Sequence, residues 1–94
     1  MENVYSQIAT KIIAQQETII GPVAIEQAKV VKGLNVNWAD HKVSITGQAP
    51  SVIDRLVTQY KQLFGKMSVD VCKDASSGLI SKLPFNERPK SLTS

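Results

Sequence analysis

The sequence predicts a small single α+β domain in the order α-α-β-β-α-β. Its three-stranded sheet has helices packed on one face, and a disordered C-terminal tail completes the chain. Three observations predict this class. Apolar pairs recur at helical spacing from Val4 to Val31, two runs of strict alternation lie between Leu34 and Thr46, and a continuous apolar stripe from Val52 to Phe64 ends on a glycine. The domain is expected over residues 1–73 and a flexible tail over 74–94.

In the first element Val4/Tyr5, Ile8/Ala9, Ile12/Ile13 and Ile19/Ile20 form the stripe of an amphipathic helix, with Asn3 placed as its N-cap. The stripe is broken only at Gln16/Glu17, where that face must meet something polar. Gly21-Pro22 then forms a structural corner. Pro22 has no N–H for the carbonyl of Thr18, so an unbroken helix costs about 3 kcal/mol there, whereas proline suits the first turn of a new helix. A second helix is expected from Pro22 to Lys32, with Gly33 just past its end. Leu34, Val36 and Trp38 alternate with Asn35 and Asn37, and Val43 and Ile45 alternate with Ser44 and Thr46, which reads as a hairpin turning at Ala39-Asp40-His41-Lys42. Ser51 and Asp54 give an S-x-x-D start to the third helix, which stops at Gly65. Met67, Val69 and Val71 alternate as a third strand, reached by a right-handed crossover. From Asp74 the Ser- and Pro-containing remainder reads as mobile.

Ninety-four residues with an apolar fraction of 43 % make one domain at most. A chain of this length buries only about 60–65 % of its unfolded surface, so a second copy or a partner is attractive. The net charge of +3 is mildly basic and falls short of a nucleic-acid signature. The lysines are spread over all elements, no G-x-x-G loop is present, and Trp38 and Tyr60 fall on inward stripes, which argues against RNA. No charged region followed by an apolar one opens the chain, and the longest apolar run is far too short to span a bilayer, so a cytoplasmic setting is expected.

Chemistry-bearing residues are sparse. His41 and Cys72 are the sole histidine and cysteine, which rules out an internal disulfide and leaves too few ligands for a structural metal. His41 falls in a turn and Cys72 at a strand end, so neither reads as half of a catalytic pair. The glycines mark breaks between elements and form no phosphate-cradling run. Catalytic residues, metal ligands and cofactors are therefore expected to be none, and the protein is expected not to be an enzyme. In the tail, Leu79, Ile80, Leu83 and Phe85 are too apolar for an idle linker. They read either as side chains packing back on the domain or as a docking segment.

Two short stretches are similar to known families. Residues 41–71, "HKVSITGQAPSVIDRLVTQYKQLFGKMSVDV", resemble the central pattern of the BON domain, with Val43, Ile45, Gly47 and Gly65 at its positions and Lys66 where that family has valine. The resemblance implies a strand-helix-strand topology and an association with phospholipid surfaces. Ile20, Gly21, Pro22, Val23 and Ala24 are similar to an I-G-P-[IV]-A helix-turn of bacterial regulatory modules, which implies a bacterial signalling or scaffolding setting.

The function expected from the sequence is a non-catalytic, adaptor-like or regulatory protein–protein interaction module. Ile8, Ile12, Ile19 and Val23 are the expected contact surface for a protein partner or a homodimer, with Leu79, Ile80, Leu83 and Phe85 as the second candidate. A membrane-lipid surface and weak RNA binding are the alternatives.

Overall fold

The computed structural model describes residues 3–93 and places four helices around a β-hairpin. Helix α1 (Val4–Ile20) is the central element and packs against α2 (Val23–Lys29), α3 (Ala49–Phe64), α4 (Lys66–Ile80) and the hairpin. It starts where the Asn3 side chain accepts the backbone N–H of Ser6 at 2.8 Å, a cap worth about 1 kcal/mol. Its buried face comprises Ile8, Ala9, Ile12 and Ile13, all fully covered, together with Gln16. Each of these isoleucines contributes about 1.5–3 kcal/mol by leaving water.

The chain does divide into two helices at Gly21-Pro22. Gly21 takes φ 76° and ψ −159°, and its N–H donates to Glu17 O at 2.9 Å, closing α1 before Pro22 opens the next turn. Helix α2 is about a turn shorter than the spacing predicts. It ends at Lys29, and Val30, within the expected helix, is 66 % exposed, while Ala24, Ile25 and Ala28 are buried.

Strands β1 (Leu34–Asn37) and β2 (Lys42–Ile45) pair antiparallel with Leu34 opposite Ile45 and Val36 opposite Val43. Leu34 and Val43 face the core and the asparagines face out, as alternation requires. Trp38 is not a strand residue. It starts a 3-10 turn (Trp38–Asp40) that His41 closes in the left-handed region at φ 52°.

The three-stranded sheet and its crossover are not formed: among the described residues the sheet is the hairpin alone. The residues expected as the third strand, Met67 to Val71, lie in α4. Alternation over five residues fits a strand or a turn and a half of helix, and the residues beyond Val71 decide between them. Ser68, Cys72, Ser76 and Ile80 fall every fourth residue and are all buried. The three small side chains among them belong to one helix face that lies close along α1. Helix α4 thus passes straight through the expected domain boundary at Lys73.

Beyond it the chain is not a disordered tail. Two 3-10 turns (Phe85–Glu87 and Lys90–Leu92) form a strap that buries Leu83, Pro89 and Leu92, the last turn packing across α3 and α4. The strap is tied at each of its two turns. Tyr5 donates its hydroxyl to Glu87 O at 2.7 Å, and Ser91 donates both its N–H, at 3.0 Å, and its hydroxyl, at 2.6 Å, to Asp54 Oδ1. Asp54 therefore does not serve the start of α3, which begins two residues before Ser51, after Gln48.

Candidate functional site

The residues that could carry chemistry are held apart or buried. The Cys72 thiol is fully covered and is pushed up to about 11, first by that burial, with the hydrogen bond from the Gln16 amide pulling the other way. A thiol so held is a poor nucleophile at neutral pH. Gln16 donates to Ser68 O at 3.0 Å and reaches Cys72 Sγ at 3.5 Å, so the polar break in the α1 stripe meets backbone and sulfur rather than water. His41 lies on the surface with its ring tilted against Trp38, centroids 4.7 Å apart. Trp38 in turn donates its indole N–H to Glu17 Oε1 at 3.2 Å. Among the described residues no group of three or more His, Cys, Asp or Glu is placed to hold a metal ion. No described helix is long and apolar enough to cross a membrane.

The contact residues expected from the sequence fall in different places. Ile8 and Ile12 are fully buried, so α1 does not offer them as a surface; they are core because their face of α1 is covered by the other helices and the hairpin. Val23 is half-buried beside the Gly21-Pro22 corner, and Ile19 is 57 % exposed. In the second candidate, Ile80 and Leu83 are buried and Leu79 is half-buried against the core, so these side chains pack back on the domain. Phe85 alone stays exposed, with the Arg88 guanidinium 5.8 Å from its ring centre.

A different apolar surface emerges where the helices end. Gln16 meets Ser68 and Cys72 while Thr10 and Lys11, earlier in α1, lie beside Ala75, later in α4, so the two helices run antiparallel and the last turn of α1 comes to the level of the α3–α4 corner. Tyr60 donates its hydroxyl to Ala24 O at 2.7 Å and so fixes the end of α3 beside the start of α2. Tyr60 is also the last covered residue of α3. Every residue from Lys61 to Met67 is exposed, and this stretch carries Leu63 at 50 %, Phe64 at 37 % and Met67 at 79 %, flanked by Lys61 and Lys66. Ile19 joins these three large apolar side chains at the same end of the molecule.

The sequence pattern placed Leu63 and Phe64 on the buried stripe and Met67 in a strand. A stripe shows that a helix has an apolar side, but not how far its neighbour extends. Helix α3 runs 16 residues against the 7 of α2, and its last turn overhangs. Shallow grooves also mark the surface among the described residues. One of about 400 Å³ is lined by Asn35, Asn37, Lys42 and Ser44 along the hairpin, and one of about 510 Å³ lies between Lys32, Ser51 and Arg55.

No family model, no curated protein and no solved structure matches this chain.

Proposed function

We propose that the chain is a non-catalytic interaction module of the cytoplasm that docks a protein partner on the corner formed by Leu63, Phe64 and Met67, with Ile19 beside them. The single observation carrying this reading is the run of seven consecutive exposed residues that holds three large apolar side chains. Exposed apolar clusters of this kind mark contact surfaces more often than chance exposure does.

Fully burying such a side chain yields about 1.5–3 kcal/mol, of which Leu63 at 50 % and Phe64 at 37 % exposure have only part left to gain, against an association cost of about 4–15 kcal/mol. The expected complex is therefore transient. Lys61 and Lys66 fit a partner whose apolar recess has an acidic rim. In a symmetric pair of copies the same lysines would face each other, which disfavours a homodimer through this corner.

The test uses the full chain as bait beside a Leu63→Ser/Met67→Ser double variant and a Phe85→Ser control. A protein partner retained by the wild type and the control but lost from the double variant is the expected outcome. Equal retention by all three would sink the reading. The two lysines beside apolar side chains also favour a second occupant, an anionic lipid surface. Cosedimentation with vesicles containing phosphatidylglycerol, abolished by the double variant, would replace the protein partner with a membrane.

A further inference from the structure

The Asp54–Ser91 contact lies away from the apolar corner, toward the other end of α3, and the docking reading does not use it. One carboxylate oxygen accepts both the N–H and the hydroxyl of Ser91, at 3.0 and 2.6 Å. These two bonds tie the last strap turn to α3. The turn they secure carries the buried Pro89 and Leu92, yet the strap itself has only 3-10 turns, each of three residues. Segments of this kind open locally at low cost. Ser91 is partly exposed and is preceded by Arg88 three residues before it and Lys90 one residue before it.

We propose that Ser91 is a phosphorylation site and that its modification opens the strap. The basic residues just before it suit serine kinases that read positive charge on that side of the acceptor. In the transfer, Ser91 Oγ bonds to the γ-phosphorus of a nucleoside triphosphate as the bond to the bridging oxygen breaks. Nucleoside diphosphate leaves, and the hydroxyl proton passes to the kinase's base. The product removes the donor that Asp54 accepts and sets a group of about −1.5 to −2 charge against a carboxylate. The two repel, the strap leaves α3, and the surface beneath Pro89 and Leu92 meets water.

The experiment incubates the native full chain with a purified kinase selective for serines three residues after an arginine, beside Ser91→Ala and a peptide of residues 84–94. Mass spectrometry locates the phosphate, and amide hydrogen exchange reads the strap. The expected result is phosphate on Ser91 of the chain and the peptide. Exchange over residues 90–93 should rise about ten- to a hundredfold, the factor for losing a charge-assisted hydrogen bond, while α1 stays protected. Ser91→Glu should reproduce the opening in part. Three results would overturn the proposal: an unmodified Ser91 in the chain, a phosphorylated chain with an unchanged strap, or a loss of protection throughout all four helices.

Discussion

Gln16 brings an uncharged amide into the interface of α1 and α4, where it serves the Ser68 carbonyl and the Cys72 thiol, and Tyr60 brings a hydroxyl to Ala24 O close by. Such groups are tolerated because they are paired; removing one partner exposes the cost of the other. Tyr60→Phe should therefore lose about 1–2 kcal/mol in denaturant unfolding, since the Ala24 carbonyl stays buried without its donor. A change below a few tenths would mean that water reaches that carbonyl. The Cys72 thiol adds a pH dependence. Burial raises it from an ordinary 9.0 to about 11, so the unfolded chain releases this proton well before the native one. Its contribution is complete below pH 9 and is lost as pH climbs to 11, a fall of about 2–3 kcal/mol. Tyr60, raised by burial and by the neighbouring Cys72, acts in the same direction at higher pH. Unfolding free energy measured from pH 8 to 11 should fall, and Cys72→Ala should flatten the first part of the fall. An unaltered slope in the variant would assign the loss to other groups.

At the level of elements, the same device ends α1 and α3. Gly21 and Gly65 have nearly equal dihedrals (φ 76°, ψ −159° and φ 83°, ψ −170°), and each returns its N–H to the carbonyl four residues back. This region is open almost only to glycine, at about 1–3 kcal/mol for any L side chain. No atom lies within 4 Å of a Cβ added at either site, so the penalty is conformational and not steric. Gly21→Ala and Gly65→Ala should each lower stability by that amount, and D-alanine introduced by chemical synthesis should restore it. Failure of D-alanine to restore stability would mean that crowding causes the loss. The Gly21 corner was legible because proline comes next, whereas Gly65 was legible only as an end and not as the start of α4. Helices α1 and α3 and the hairpin were read from their periodicity. Helix α4 was not, because Ser68, Cys72 and Ser76 form a face from small residues that a search for large apolar ones passes over. The candidate site was hidden for another reason: whether Leu63 and Met67 are covered depends on where α2 starts, at the Gly21-Pro22 corner beside Tyr60, which their own spacing does not encode.

Taken whole, the fold depends on its last third. A chain ending at Lys73 cuts α4 in half and removes Ser76, Ile80, Leu83 and Leu92, all buried; circular dichroism should find it unfolded. A chain ending at Ser81 loses only the strap. Its buried Leu83, Pro89 and Leu92 contribute about 1.5–3 kcal/mol each at most, against a total stability of about 5–14 kcal/mol for a chain of this size. It should stay helical with a melting point lowered by about 4–8 °C for each kcal/mol so lost. A folded Lys73 truncation would show that α4 is dispensable and that the core lies elsewhere. Ile12→Asp should unfold the full chain, since a carboxylate at that wholly covered position has no partner. The hydroxyl of Tyr5 on Glu87 has a consequence for how the molecule could be mounted. It sets the start of α1 beside the strap, and α1 then runs 17 residues, about 25 Å, to the opposite pole. A domain, tether or solid support joined ahead of α1 or behind the strap would attach at that near pole. Copies arrayed this way on a bead or a larger assembly would all hold Leu63, Phe64 and Met67 outward, like pins on a brush.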